Sequence, residues 1–251
     1  MTATAGAGLV PAAARAAELQ IAGLVPLSTL DWPGRLSAVV FCQGCPWDCG
    51  YCQNPELRSN EMPGLVDWLD VMALLRRRQR LLDAVVFSGG EATRQAALGP
   101  AMAEVRDLGF EVGLHTAGAY PRRLAEVLPL VDWAGLDIKA LPEHYGIAAG
   151  AAAGGAKAWE SLRVLLEAGV DHEVRLTVHP GSPQAAHAVE IARRVHAAGS
   201  SSFALQNART DGTRQAFRVQ AESWDREAWR AEFTRLTDQI DSLGWESFIA
   251  R

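Results

Sequence analysis

Four cysteines stand within eleven residues, at Cys42, Cys45, Cys49 and Cys52, and the chain has no others. Thiolates are soft donors, so a bunched set points to zinc or to iron–sulfur rather than to a hard cation. A disulfide framework spreads its cysteines to staple distant segments, and this arrangement does not. Zinc ribbons separate their two cysteine pairs by about 15 to 20 residues so that two knuckles can face each other. The spacing from Cys45 to Cys49 is too tight for that, and it matches the habit of a [4Fe-4S] cube wrapped by one loop. The competing reading is two incidental thiol pairs that act as small buried hydrophobes. Two ligand counts are open. Four thiolates saturate a cube and describe an electron carrier or cluster sensor. Three, Cys45-x3-Cys49-x2-Cys52, leave one iron free for a substrate.

A second group follows an apolar run at Phe87-Ser88-Gly89-Gly90-Glu91. Glycines let backbone approach a ligand closely, and a carboxylate beside them suits an ammonium group. Asp137 and Lys139 are two apart, so on a strand they share a face, either as site residues or as a solvated ion pair. Arg175 reads equally as a ligand contact or a salt-bridge partner. His144, His172, His187 and His196 lack metal-ligand spacing and read as surface or helix residues, whereas His179 ends a strand and can face a site.

The elements that must position these residues alternate along the chain. Strand patterns run over 36–41, 84–87, 111–114, 133–138, 173–178 and 202–205, with helical patterns over 65–81, 95–108, 121–128, 158–168 and 183–198. Strands separated by helices require parallel pairing, because a parallel connection needs a long crossover. Six such units fall short of a full eight-stranded barrel, so the expected fold is α/β, a single-domain partial (βα)6 barrel of parallel strands, with an open doubly wound sheet as the other option. In either, the cysteines and the Gly-Gly-Glu element fall at carboxyl ends of strands. Residues 1–18 read as a flexible N-terminal arm and 19–251 as the domain. Within it, Ile147 to Ala156 is almost wholly Ala and Gly, and 141–156 reads as a flexible insertion. A last helix is expected over 223–243, where Trp229, Phe233, Leu236, Ile240 and Leu243 form an apolar stripe.

The 251-residue chain is 49% hydrophobic and 21% charged, with a formal net charge of −5. That balance gives no broad electrostatic claim on nucleic acid or on anionic membrane. No apolar run approaches the length of a membrane span. The start lacks a basic cluster ahead of an apolar stretch, which argues against a secretory signal and for a cytoplasmic protein. Of the 24 basic residues only Lys139 and Lys157 are lysines, which makes a lysine at a strand end worth notice.

With Tyr51 just before the last cysteine, the Cys45-x3-Cys49-x2-Cys52 loop and the Gly-Gly-Glu element one strand–helix unit later resemble the radical S-adenosylmethionine enzymes. Further stretches, Leu30-Asp31-Trp32-Pro33-Gly34, Phe41 to Pro55, Ser88 to Thr93, His115-Thr116-Ala117-Gly118, Asp132 to Lys139, Glu173 to Pro180 and Leu205-Gln206-Asn207, resemble the glycyl-radical-enzyme activases, most nearly the activating proteins of anaerobic ribonucleoside-triphosphate reductase. The resemblance implies a [4Fe-4S] cluster held by Cys45, Cys49 and Cys52, with Cys42 left out. It implies S-adenosyl-L-methionine as cofactor, with Tyr51 against the adenine, Gly89, Gly90 and Glu91 at the methionine end, and Thr116, Lys139 and Arg175 as further contacts. Asp31 would lie near the entry of a partner's glycine loop. His115 departs from the family's usual Asp, which removes a carboxylate from any cation site there. The implied activity is reductive cleavage of S-adenosylmethionine to a 5′-deoxyadenosyl radical that generates a glycyl radical on a partner enzyme, with an electron donor such as flavodoxin or ferredoxin. Alternatives are an activase of pyruvate formate-lyase or another glycyl radical enzyme, a radical enzyme acting on a small molecule such as a deazapurine synthase, and, outside enzymes, a four-cysteine electron carrier.

Overall fold

The computed structural model describes residues 14–251, and all but the last part of the expected arm therefore lies outside the described residues. The chain runs β1 (Ile21–Ser28), β2 (Ser37–Cys42), α1 (Trp68–Arg78), β3 (Ala84–Gly89), α2 (Leu98–Asp107), β4 (Glu111–Thr116), α3 (Pro121–Val127), β5 (Trp133–Asp137), α4 (Tyr145–Ala149), α5 (Gly154–Ala168), β6 (Asp171–Val178), α6 (Pro183–Ala186), α7 (Ala188–Ala197), β7 (Ser202–Asn207), α8 (Gln215–Glu222), α9 (Arg226–Asp241) and β8 (Ser247–Ala250). The strands pair strictly in chain order in one sheet. From β2 to β8 the pairing is parallel, and β1 runs antiparallel against β2. A doubly wound sheet reverses its strand order at a switch point, and this one does not, so the partial barrel holds.

Alternation along each strand separates two faces. Val40, Val85, Phe87, Val112, Leu114, Leu136, Val174, Leu176, Phe203 and Leu205 are fully buried in the main core that the helices cover. The opposite face lines the lumen, where Val39, Ala84, Val86 and Trp133 pack around Trp32 with Phe41 beside them, and where His115, Asp137, Glu173 and Arg175 supply polar groups. Helix α1 shows the matching sequence logic. Trp68, Val71, Met72 and Leu75 recur at spacings of three and four and are buried, while Arg76, Arg77 and Arg78 occupy its last turn, where cations favour the helix dipole.

The six expected strands are β2 to β7, shifted by no more than two residues at either end. Two more strands flank them. β1 carries Gly23 and Pro26 and shows no clean alternation, and β8 is four residues long, so neither has a periodicity strong enough to stand out. The expected last helix is α9, and the unexpected α8 precedes it, with Ser223, Trp224 and Asp225 between the two. Asp225 caps α9 by accepting from the backbone of Glu227 and Ala228. Ala16–Glu18 forms a 3-10 turn with Ala16 buried, so the tail of the expected arm packs on the domain.

The largest correction concerns 141–156. It is not a flexible insertion. Pro142–His144 makes a 3-10 turn, α4 follows, and α5 begins at Gly154, four residues before its periodicity shows. Tyr145, Ala148, Ala149, Gly154 and Gly155 are buried. Small residues are needed because the backbones touch: a Cβ on Gly155 would stand 2.3 Å from the Pro142 carbonyl oxygen. A composition that signals slack in isolation serves close packing here.

Candidate functional site

Every candidate loop except that of Asp31 rises from the carboxyl ends of the parallel strands, the upper rim. β2 delivers the cysteines. Cys42 ends the strand on its helix-facing side, fully buried in the apolar core, and its thiol is pushed up to about 12 by burial. It is separated from the other three by the turn at Gln43-Gly44. Cys49 is buried and Cys45 and Cys52 are partly exposed, all as free thiols, with the Cys52 amide donating to the Cys49 carbonyl at 3.2 Å. Burial pushes the Cys45 thiol up to about 12 as well and raises Cys49, so thiolates at this rim need a positive centre beside them. Among the described residues no three His, Cys, Asp or Glu side chains converge tightly enough to hold a single metal ion. A cube takes one thiolate on each of three irons, so a wider spread of ligands is what it requires.

The end of β3 is threaded against this loop. The Gly90 and Glu91 amides donate to the Cys42 and Gly44 carbonyls, both at 2.9 Å. A Cβ on Gly89, whose φ is +106°, would lie 2.5 Å from the Cys42 amide nitrogen, and one on Gly90 would lie 2.4 Å from the Gly44 oxygen. The glycine pair is therefore demanded by the cysteine loop itself. The Glu91 carboxylate is turned into the protein. It is 1% exposed and accepts from the Thr93 hydroxyl at 2.5 Å and amide at 3.2 Å, from the Thr116 hydroxyl at 2.7 Å and from the Ala117 amide at 2.9 Å. That set nearly exhausts its lone pairs. Glu91 ties the ends of β3 and β4 together, and Thr116, 4% exposed, is spent in the same knot with its oxygen also accepting from the Gly118 amide.

Lys139 and Asp137 do share a face, but the pair is not simply solvated. Lys139 Nζ lies 3.1 Å from Asp137 Oδ2, its side chain is 12% exposed, and it sits over the Tyr51 ring at 5.7 Å from the centroid. Burial alone would lower the Lys139 pKa and raise that of Asp137. Asp137 holds the lysine well above its ordinary value, and Lys139 with Arg175 holds the aspartate below its own. Both charges persist across the neutral range. Tyr51 is buried, its hydroxyl lacks a hydrogen-bond partner, and its ring neighbours His179, which stacks on Trp224 and meets Phe217 edge-on. That aromatic group draws Tyr51 from the cysteine loop, His179 from just after β6, Phe217 from α8 and Trp224 from just after it, and could not be assembled from sequence spacing.

Deeper in the lumen Arg175 is mid-strand, not at a strand end. Its Nε donates to Glu173 at 2.8 Å, it lies over Trp133, and its Nη2 is 3.1 Å from His115 Nε2. Glu173 also takes Arg251 at 2.8 Å. His115 touches the Asp31 carbonyl at 2.7 Å and Ser88 Oγ at 3.2 Å. Burial, and then Arg175, lower its pKa to about 3, so His115 is a neutral hydrogen-bonding group. Asp31 belongs to the β1–β2 connection at the lower rim. Its carboxylate accepts from Ser28 at 2.5 Å, and the neighbouring Trp32 stacks on Trp133 at 5.5 Å. The Asp31 backbone thus reaches His115 inside the lumen, while its carboxylate is taken by Ser28.

A family model described as the radical SAM superfamily matches residues 39–194, well over half of the chain. The chain belongs to the radical SAM superfamily. Among curated proteins it is 33% identical over 132 residues to a Methanocaldococcus jannaschii protein provisionally named a glycyl-radical enzyme activating enzyme, an alignment covering 50% of this chain and 52% of that one. It is 30% identical over 128 residues to the pyruvate formate-lyase-activating enzyme of Clostridium pasteurianum, covering 48% and 52%. It is 28% identical over 170 residues to a 7-carboxy-7-deazaguanine synthase of Thermococcus kodakarensis, covering 58% and 64%. The chain thus spans about half to two thirds of the length of the curated relatives it matches. Among solved structures, Streptococcus suis SuiB bound to S-adenosylmethionine superposes with a TM-score of 0.62 at 15% identity, over 83% of this chain and 48% of that one, which bears on the fold. Membership implies a [4Fe-4S] cluster and S-adenosylmethionine, and the cysteine-rich rim has the donor chemistry for the first. Among the described residues no helix is long and apolar enough to cross a membrane.

Proposed function

We propose that Cys45, Cys49 and Cys52 hold a [4Fe-4S] cluster at the upper rim, and that the protein activates a glycyl radical enzyme, with anaerobic ribonucleoside-triphosphate reductase as the favoured partner. The observation that carries this reading is the division among the four cysteines. Cys42 ends β2 fully buried, and Cys45, Cys49 and Cys52 follow it in one loop at the upper rim. Held there by Cys45, Cys49 and Cys52, a cluster would supply the electron for reductive cleavage of S-adenosylmethionine, the chemistry that would remove a hydrogen atom from a partner's glycine Cα.

The chain's own residues supply geometry and charge. Lys139 is a fixed cation at the mouth, suited to a carboxylate. Tyr51 offers a buried ring face beside it, suited to a base. Gly89 and Gly90 leave the β3 end without side chains, and Glu91 with Thr116 sets the position of that backbone rather than touching the ligand. Arg175, His115 and Glu173 keep the lumen polar and internally paired, so a glycine-bearing loop entering it meets satisfied groups and not bare charges. The electron donor would be a flavodoxin or ferredoxin.

Incubating anaerobically reduced protein with S-adenosylmethionine and candidate glycyl radical enzymes tests this. A glycyl radical seen by electron paramagnetic resonance, with 5′-deoxyadenosine formed alongside, is the expected outcome for the ribonucleotide reductase. The same radical on pyruvate formate-lyase alone would move the assignment to that partner. A second reading, a radical enzyme on a small molecule, is favoured by the likeness to the deazaguanine synthase. Deoxyadenosine without protein radical on any candidate would establish it in place of the activase.

A further inference from the structure

We propose that Asp48 is a positioning residue of the cysteine loop: by taking guanidinium groups from two separate segments, it holds the Cys45–Cys49 span in the shape that presents its thiols to a metal centre. This rests on the iron–sulfur reading above, since it concerns the loop that would carry the cluster.

Asp48 is tied to three parts of the upper rim. Its amide donates to the Ala149 carbonyl at the end of α4, at 2.8 Å. Its Oδ1 forms ion pairs with Arg58 Nη1 at 3.1 Å, from the turn after the cysteines, and with Arg214 Nη2, from the residue that precedes α8. Arg58 completes the clamp by donating from Nε to the Trp47 carbonyl at 2.9 Å. Residues 47 and 48 thus have an amide, a carbonyl and a carboxylate bound to neighbours that are distant from one another in sequence. The ring of Trp47 is anchored as well, edge-on to Tyr145 of α4 at 5.4 Å between centroids.

An aspartate suits this place because one short acceptor must satisfy two cations without lengthening the loop. A neutral side chain would leave Arg58 and Arg214 facing each other with no charge between them. A loop bearing closely spaced thiols has little regular hydrogen bonding of its own, so its shape must come from outside it. The ion pairs are about one-third exposed on the arginine side and 43% on the aspartate side, so their weight comes from acting together with the Ala149 and Trp47 bonds rather than singly.

The test uses the full chain carrying Asp48→Ala, Asp48→Asn or Asp48→Glu. In metal-free protein, alkylation of each cysteine, resolved by mass spectrometry, reads local opening of the loop. Cys49 is 7% exposed in the intact loop. It should react about three- to tenfold faster in Asp48→Ala, the size expected from losing two cooperating ion pairs. Cys42, in the core, should keep its rate. Asp48→Glu should restore most of the protection and Asp48→Asn only part, and Asp48→Ala combined with Arg214→Gln should fall short of the sum of the two. In reconstituted protein the reduced cluster's paramagnetic signal should broaden and shift in Asp48→Ala. Equal Cys49 rates in wild type and Asp48→Ala would overturn the proposal, as would a parallel rise at Cys42, which would mean general unfolding. If Cys49 responds as expected but the wild-type chain assembles no cluster, the positioning role stands and the iron–sulfur reading falls.

Discussion

The cysteine loop at 42–58 and the Ala/Gly segment at 141–156 lie against each other on the upper rim, and one glycine of each, Gly50 and Gly155, obeys an opposite rule. In the loop, a Cβ on Gly50 would meet nothing within 4 Å. In the segment, a Cβ on Gly155 would run into the Pro142 backbone. The loop carries the donor atoms, yet its outer turn stands in open space. The segment carries no thiol, yet it is packed backbone to backbone and its α4 carbonyl holds Asp48. Chemical importance and steric constraint are thus distributed between neighbours, because a metal-binding loop must leave room for its ligand while something adjacent supplies rigidity.

Replacing donors gives the largest expected effect and tests the loop's side of this contrast. Alanine at Cys45, Cys49 or Cys52 should abolish normal cluster assembly on anaerobic reconstitution, read by iron content and visible absorbance. Cys42→Ala should assemble it and cost about 1 to 2 kcal/mol of stability as a core truncation. Retention of a normal cluster after loss of any of the first three would break the ligand assignment.

The glycine contrast itself comes next. Gly155→Ala should destabilise the fold by about 3 kcal/mol, since backbone must move to admit the methyl group, whereas Gly50→Ala should stay within about 0.5 kcal/mol of wild type. Chemical denaturation measures both, and equal effects would erase the distinction between the two segments.

Glu91→Gln places an amide NH2 among the Thr93, Thr116 and Ala117 donors. It should lower stability by about 2 to 3 kcal/mol even without any cofactor. A variant with unchanged melting and weakened S-adenosylmethionine binding would instead return Glu91 to the role of a direct ligand.

The smallest effect concerns pH. Burial would raise the Glu173 pKa, but hydrogen bonds and charge from Arg251 and Arg175 outweigh it and hold the carboxyl below its usual value. A depressed acid contributes stability that is complete above its unfolded value, about 4.3, and fades as pH falls through the folded one. The stability difference between wild type and Glu173→Gln should therefore be level from neutral pH to about 5 and shrink below that, as followed by denaturation at several pH values. A difference that grows on acidification would contradict the lumen ion pairs.

Local pattern carried a good deal of this protein. Apolar runs such as Ala84 to Phe87 and Val174 to Val178 place the six central strands, since a strand covered by helices on one face and closed around a lumen on the other cannot hide its composition. The cysteine spacing named the chemistry because a cube imposes short loops on its ligands. Roles that depend on where a side chain turns were not legible: Glu91 was recognisable as part of a motif, but its inward rotamer follows from donors on β4, a strand away.

What the sequence by itself determined is therefore the bunched thiols and the six central strands, both encoded within windows of a few residues. The tertiary structure alone decided that 141–156 is a brace and not a tether, that the Asp31 carbonyl meets His115, and that Asp48 gathers Arg58 and Arg214. Each of these depends on groups between ten and more than a hundred residues apart, brought together by closure of the barrel, and on backbone contacts that side-chain composition does not record.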